Sequence, residues 1–458
     1  MQIKPTFDKN SPIQSTALTK SVKANMIKIR VIRWKRRLIE IMKTQAVRMY
    51  GANDLRLETF DLPELQGNEI LMRIITDTLC ASTYKAVKQG TKHKRVPPDI
   101  DKKPIIIGHE ICGEIVKIGK DVKGNWSEGQ KAVIQPALKL LSGYDPGYSY
   151  QYIGGSATYV IVPEIVLARN CLIPYNGENY FSGSLVESLA CVIRGYKGFY
   201  HTDYTDYVRT DGAKRGGRIA ILGGAGPMGL GAIEMAIGYA GCMQVVVTDI
   251  NNERLNYAHN KCTPKEAKKH GVDLRYINTS ETDNATEELR RISGGGFDDV
   301  FVMVPVPELF TMAEQICRED GCVNFFAGPP VHELQGSLNL YRVHYDGIHV
   351  VGTAGSIPQD MLDVIELIEE KKIDTGALVS HILGLNAVPE AIMDMANPSG
   401  AKKVCYTGLN IPLVAIDDFE KLGQTDSMYK RLDEIVKMHG GLWCTEAENY
   451  LLAHAPKI

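Results

Sequence analysis

The chain is expected to fold as an α/β protein in which a mostly β unit precedes a doubly wound parallel sheet, with a helical extension at the C-terminal end. Three observations predict this. From Thr44 to about Pro163, short strand-like runs such as EILMRIITDTLC and KAVIQP are broken by Gly, Pro and Asn, as in a β unit with tight turns. After about Ala190 the texture changes: RIAILGGAGPMGLGAIEMAIGYAGCMQVVVTDI (218–250) reads as buried strand, Gly-rich turn, helix and buried strand. Beyond Leu409 the pattern is helical.

Length and composition agree with two cores, since 458 residues exceed one ordinary domain and 44% are hydrophobic. The expected division is a catalytic unit at 43–189, a nucleotide-binding unit at 190–355, and a return to the first unit at 356–458 that carries the helical extension. No run of about 18 apolar residues appears, so no membrane span is expected. The ten cysteines lie singly with no C-x-x-C pair, which offers neither a four-cysteine zinc knuckle nor a disulfide framework and suits a reducing cytoplasm.

Residues 1–42 read as a basic leader. Residues 1–41 hold ten Lys/Arg against Asp8 and Glu40, a net of +8 that leaves the remainder near −10. An acidic body speaks against nucleic acid or an anionic membrane as partner. The leader has the composition of a transit peptide or a basic arm. A translated ribosome-binding site is the plainer reading, because Lys35, Arg36 and Arg37 admit purine-rich codons and MKTQAVRMYG from Met42 reads as the start of a domain. The leader is therefore expected to lie outside the fold.

In the second unit, DDVFVMV and CVNFFAG are strand-like, PELFTMAEQICRED between them is helical, and the alternation runs on to IHVVGTAG. QDMLDVIELIEEKKID has apolar residues at helical spacing. In the extension, TDSMYKRLDEIVKMHGG has a polar start and a Gly stop, and Thr445 with Glu448 has capping-box spacing ahead of NYLLAHA.

Gly224, Gly226 and Gly229 fit G-x-G-x-x-G between a strand and a helix, with Met228 on the same turn. Such glycines can serve packing alone. Here, however, Asp249 ends the next strand 20 residues after Gly229, where an acid accepts from a ribose 2′-OH. A Rossmann-type dinucleotide site follows, with phosphate on the helix N-terminus. The Asp249 carboxylate would repel a 2′-phosphate, and Arg254 can reach the same ribose, so NAD is favoured over NADP.

PIIIGHEICGEIVKIGKDV (104–122) reads as a strand entering a core, yet it carries His109 and Glu110 side by side. A metal makes sense of them, since a catalytic zinc takes imidazole, thiolate and carboxylate and keeps one position open. Cys80 is the upstream thiolate, and Glu187 is a further acid where the β unit gives way to the nucleotide unit. Taken singly, each has a plain alternative: a lone Cys is more often a buried small hydrophobe, a lone His–Glu pair a structural hydrogen bond, and a lone Glu a solvated residue.

The spacing Gly108-His109-Glu110, two residues, Gly113, five residues, Gly119, two residues, Val122 resembles the signature of the zinc-containing alcohol dehydrogenases of the medium-chain dehydrogenase/reductase superfamily. The resemblance runs from about Lys43 to Leu409. It implies a GroES-like catalytic domain beside the Rossmann-type domain, and a catalytic zinc on Cys80 and His109. In the polyol branch Glu110 completes the site, while Glu187 binds the metal or its water. Ser82 matches the hydroxyl that passes the proton away from the bound alcohol, while zinc polarises the alcohol oxygen and the nicotinamide takes the hydride. Lys85 stands where many relatives carry a relay histidine, and Thr83 replaces the Asp that orients the zinc-site histidine.

Many relatives have a four-cysteine lobe for a structural zinc, whereas Pro136–Gly155 contains no cysteine, so one zinc per subunit is expected. Tyr144, Tyr148, Tyr150 and Tyr152 read as loop packing as readily as a sugar cleft. At Gly352–Ser356 small residues replace the aromatic–Arg–Tyr run of many polyol enzymes, which implies a different contact for the far end of the substrate. With GYSYQYIGG and SLVESLACVIRGYKG, the whole pattern is similar to the L-sorbose-1-phosphate reductase family, which interconverts a ketose 1-phosphate and D-glucitol 6-phosphate. Arg194, Arg342 and Lys139 are candidates for a substrate phosphate.

The expectation is thus a zinc- and NAD(H)-dependent oxidoreductase of a polyol or sugar phosphate, working in the cleft between the domains and forming a dimer or tetramer as relatives do. Alternatives are a dehydrogenase of an unphosphorylated polyol or threonine-like alcohol, a zinc-independent quinone or enoyl reductase, and a non-catalytic NAD-binding sensor.

Overall fold

A computed structural model describes residues 42–329, 333–396 and 400–458, and the leader at 1–41 lies outside the described residues. Residues 44–60 and 65–458 form one compact unit. Its β part is an eight-stranded sheet whose path runs Val414–Ala415, Val379–Gly384, Lys402–Tyr406, Ile70–Leu79, Ile111–Ile118, Lys131–Ile134, Leu172–Pro174, with Tyr159–Val162 paired to Ile70–Leu79 off that path. Ile70–Leu79 is central because its Ile, Leu, Met and Thr side chains are buried on both faces, Arg73 alone being exposed. Two registers matter for function. Asp77 faces Ile111 in one antiparallel neighbour, and Leu79 faces Lys403 in the other.

The second sheet has six strands in the order Asp273–Asn278, Gln244–Asp249, Arg218–Leu222, Phe297–Val302, Cys317–Phe325, His349–Gly352. Every pairing is parallel, and the apolar runs of its inner strands are buried on both faces, as helices on either side require. The strand order reverses between Arg218–Leu222 and Phe297–Val302, which opens a ligand crevice at their carboxyl ends. One boundary differs from the sequence reading: the helix starting at Pro307 ends at Ile316, and the last four residues of PELFTMAEQICRED begin the strand. Cys317 pairs with Phe297, so sheet pairing overrides the helical pattern there.

The helix Phe181–Gly198 joins the two sheets. Its Leu189, Val192, Ile193 and Tyr196 share one apolar cluster with Val133 and Ile173 of the β part and Ile219, Ile221 and Phe301 of the parallel sheet. The division at 189/190 falls inside this helix.

The extension forms the helices Phe419–Leu422, Ser427–Met438 and Thr445–His454; their Phe419, Leu432 and Leu451, with Trp443 from the turn before the last helix, are buried in that same cluster. The capping box expected of Thr445 and Glu448 is not formed. Cys444 is the N-cap, the Thr445 hydroxyl accepts from Asn179 Nδ2 at 3.0 Å, and Glu448 accepts the N–H groups of Tyr180 and Phe181 at 2.7 and 2.8 Å. The Tyr180 side chain makes no cap bond to the helix Phe181–Gly198, and Asn179 Oδ1 accepts only the Ser182 N–H at 2.9 Å, so the N–H groups of Tyr180 and Phe181 draw the carboxylate away from its local partner.

Candidate active site

Strand pairing assembles the site. Cys80 follows the end of Ile70–Leu79, His109 and Glu110 precede the start of Ile111–Ile118, and Lys402 begins the strand on the other side, so three distant segments meet at one sheet end. Gly108 has φ of 89°, and a Cβ there would fall 2.0 Å from Asp77 Oδ2, so only glycine can make the turn that presents the His–Glu pair.

Ligand atoms of Cys80, His109 and Glu110 all lie within 4.8 Å of one another. His109 and Glu110 are buried. Thr83 Oγ1 lies 3.0 Å from His109 Nδ1, which leaves Nε2 facing the cluster. The group that orients the His109 ring is therefore a hydroxyl where the resemblance supplies a carboxylate. Ser82 Oγ donates to Cys80 Sγ at 3.1 Å, lies 3.2 Å from His109 Nε2, and accepts from the Tyr148 hydroxyl at 2.8 Å. Tyr148, 2% exposed, tilts against the His109 ring with centroids 4.8 Å apart and stacks on His93.

Lys402 Nζ meets Glu110 Oε1 at 2.5 Å inside the core. Burial works against the Lys402 charge, but Glu110 and Cys80 beside it outweigh that and raise its pKa. Glu110 Oε2 is buried without a hydrogen-bond partner. Thiolate, imidazole and an unsatisfied carboxylate oxygen are the donor set that zinc takes, so the residues present fit the metal. Glu187 stands outside the three-residue set. It is half-buried, its Oε1 accepts from Cys191 Sγ at 3.7 Å, and its charge reaches Glu110 and Lys402.

At the nucleotide turn, a Cβ on Gly229 would stand 1.9 Å from the Gly224 carbonyl oxygen, so the glycine lets the helix Pro227–Met235 close on the turn. A Cβ at Gly226, the N-cap, would meet nothing within 4 Å, which leaves room for a pyrophosphate. Met228 is half-buried in the first turn of that helix. Asp249 is buried at its strand end, with Oδ1 accepting the Ile250 and Asn251 N–H groups, and Arg254 is exposed on the helix that follows. This cradle fits a dinucleotide.

Between the helix Ala81–Gln89 and the carboxyl ends of the last two parallel strands lies a cavity of about 770 Å³ whose lining includes Lys85, Lys92, His93, Lys94, Phe325 and Gly352. Burial, with Arg95, Lys85 and Lys94 nearby, pushes His93 down to about 4, so it is neutral at physiological pH. The cations named for a phosphate lie otherwise: Arg194 is held by Asp360, Arg342 by Glu314 and Asp346, and Lys139 is exposed outside the cavity lining. Ser356, at the end of the small-residue run, is buried and accepts from Gln135 Nε2 at 2.7 Å.

The profile of zinc-binding dehydrogenases matches residues 227–370, and that of the alcohol dehydrogenase GroES-like domain matches residues 66–172. L-sorbose 1-phosphate reductase of Klebsiella pneumoniae is 44% identical over 418 residues, covering 91% of this chain and 98% of that protein. The chain belongs to the zinc-binding medium-chain dehydrogenase family. Mannitol-1-phosphate 5-dehydrogenase of Aliivibrio fischeri, also similar, is 40% identical over 412 residues, covering 90% of this chain and 97% of its own. The crystal structure of 2R,3R-butanediol dehydrogenase from Bacillus subtilis shares the fold with a TM-score of 0.64 at 22% identity, covering 80% of this chain and 99% of that one. The expected two-domain dehydrogenase fold and oxidoreductase class are thus met in this family member. Its sequence did not single out His93 or Lys402, and it left Tyr148 as one of four equivalent tyrosines. Among the described residues, no helix is long and apolar enough to cross a membrane.

Proposed function

We propose that the protein is a zinc- and NAD(H)-dependent oxidoreductase that interconverts a ketose phosphate and a hexitol phosphate, with L-sorbose 1-phosphate and D-glucitol 6-phosphate as the leading pair. The observation that carries this is the convergence of Cys80, His109 and Glu110 within 4.8 Å, with a buried carboxylate oxygen still unsatisfied. The 44% identity to a sorbose 1-phosphate reductase supports the substrate class. One zinc per chain, held by Cys80, His109 and Glu110 with Glu187 as alternate ligand or partner of its water, suits the donor set. Asp249 favours NAD over NADP. We further propose catalytic residues at 43–189 and again after 356, nucleotide binding at 190–355, a homo-oligomeric dimer or tetramer, and a cytoplasmic location.

When bound, zinc supplies Lewis acidity at the substrate oxygen and the nicotinamide exchanges the hydride. The chain's own residues manage the proton. In the reducing direction Ser82 Oγ gives its proton to the substrate oxygen and regains one from the Tyr148 hydroxyl, 2.8 Å away, in a relay that closes when solvent returns a proton to Tyr148. Burial raises Tyr148 well above the ordinary tyrosine range, so its hydroxyl is protonated at neutral pH. Thr83 fixes the His109 ring, and Lys402 holds one Glu110 oxygen.

The test is NADH oxidation with L-sorbose 1-phosphate beside unphosphorylated L-sorbose and D-fructose, on protein of known zinc content. About one zinc per chain, turnover of the ester, and loss of both in Cys80→Ala are expected. Turnover of free ketoses alone would discard the sugar-phosphate reading, and a metal-free, inactive protein would discard the mechanism. The 40% identity to a mannitol-1-phosphate 5-dehydrogenase favours one variation, in which the same machinery oxidises mannitol 1-phosphate with NAD.

A further inference from the structure

We infer that Lys85, Lys92 and Lys94 form the subsite that binds the phosphate of a phosphomonoester substrate, which rests on the sugar-phosphate reading above. All three line the cavity described above, and among the described residues no acidic one lines it. Elsewhere many surface cations in this protein sit against carboxylates, as Lys103 does with Asp99, Lys269 with Glu266 and Lys372 with Glu370. The side chains of Lys85, Lys92 and Lys94 make no ion pair with any described residue. Three like charges within one short stretch, lining one cavity without an ion-paired carboxylate among the described residues, repel one another until an anion arrives. A phosphomonoester carries close to two negative charges near neutral pH and three acceptor oxygens, which two or three ammonium groups on flexible stems can satisfy.

The cavity connects to the reacting atoms through packed side chains. His93, on its wall between Lys92 and Lys94, stacks on Tyr148 with ring planes 12° apart, and the Tyr148 hydroxyl donates to Ser82. Lys85 lies on the same short helix as Ser82, but among the described residues none of the hydrogen bonds to Ser82 comes from it. The structure therefore gives Lys85 to the cavity and leaves the proton path to Tyr148.

The 2′-phosphate of an NADP is a separate matter, and topology keeps it apart. Asp249 ends the strand Gln244–Asp249, three strand positions from Cys317–Phe325 and four from His349–Gly352, whose ends line the cavity. At about 4.8 Å per strand that is roughly 14–19 Å, too far for a 2′-phosphate beside Asp249 to reach these lysines.

The deciding experiment compares kcat/KM for L-sorbose 1-phosphate and for L-sorbose in the zinc-loaded wild type, in Lys92→Gln/Lys94→Gln, and in Lys92→Arg/Lys94→Arg. Inorganic phosphate serves as a competitive probe, and KM is measured for NADH and NADPH. In the Gln variant the ester-to-ketose ratio is expected to fall on the order of 30-fold, mainly through KM, with inhibition by phosphate weakened in parallel. The Arg variant should restore most of the ratio, and KM for NADH should move less than about twofold. A wild type that prefers the ester and a Gln variant that keeps that preference would overturn the subsite while leaving the function standing. A rise in KM for NADPH in place of the ester would assign the lysines to the cofactor and also overturn it. A wild type that turns over only free ketoses would remove the function and the subsite together.

Discussion

At the scale of single residues, the site depends on two side chains that stand behind the metal-capable cluster. Tyr148→Phe keeps the ring between His93 and His109 but removes the donor to Ser82. Turnover should drop about 10- to 100-fold while stability changes by about 1 kcal/mol or less, read from steady-state rates and urea unfolding. Unchanged turnover would take Tyr148 out of the proton path. Lys402→Met leaves Glu110 buried without its cation, and should destabilise the metal-free protein by about 3–5 kcal/mol, with a smaller loss once zinc compensates the carboxylate. Equal losses with and without zinc would contradict the shared role of Glu110. Cys80, His109 and Glu110, which come within 4.8 Å of one another, and Ser82 beside Cys80 were singled out through a motif spacing that resembles a known family's and that lies close to each of them in sequence. Lys402 lies 292 residues from Glu110 and meets it only through the pairing of Lys402–Tyr406 with Ile70–Leu79, which no local spacing reports. Tyr148 was hidden for another reason, since four tyrosines shared one loop and only packing shows which of them turns inward.

Among the elements, the helix Phe181–Gly198 carries Glu187, contacts both sheets, and takes its cap from Glu448 in another helix. Thr445 and Glu448 had the right spacing for a local cap, and that signal misled because the nearer demand was in space, not in sequence. Burial pushes Glu448 up to about 7, against the N–H bonds from Tyr180 and Phe181 and the bond from Tyr406. The folded protein therefore binds this proton more tightly than the unfolded chain does. Its contribution to stability is complete below the ordinary value of 4.5 and is lost as pH rises through about 7. Unfolding free energies measured at about pH 5 and about pH 8 should show Glu448→Gln removing roughly 2–3 kcal/mol of the wild-type gain on acidification. If wild type and variant share the same pH slope, Glu448 does not titrate in that window.

Over the whole molecule, the order of the two sheets and the crevice between them followed from local texture, because strand length, turn residues and the Gly-rich turn are written where they act. The role of the extension was not legible, since amphipathic helices do not name the surface they cover, and a lid over the cleft or a subunit contact fitted them equally. Phe419, Leu432, Trp443 and Leu451 instead enter the core cluster that holds the joining helix, and Trp443 Nε1 donates to the Tyr406 hydroxyl at 2.8 Å, which in turn donates to Glu448. Neither matching family profile reaches past residue 370, and the butanediol dehydrogenase is covered almost whole while matching 80% of this chain. In this chain the extension supplies one side of the core and the cap of the joining helix. Cutting the chain after Leu409 should therefore not leave a stable fold. It exposes apolar side chains of the shared cluster and leaves the Tyr180 and Phe181 N–H groups without their acceptor, so the truncated protein is expected to be insoluble or to lose its cooperative thermal transition, together with zinc binding. A soluble truncated protein that melts cooperatively within about 5 °C of the full chain and keeps its zinc would show that the extension is dispensable to the core.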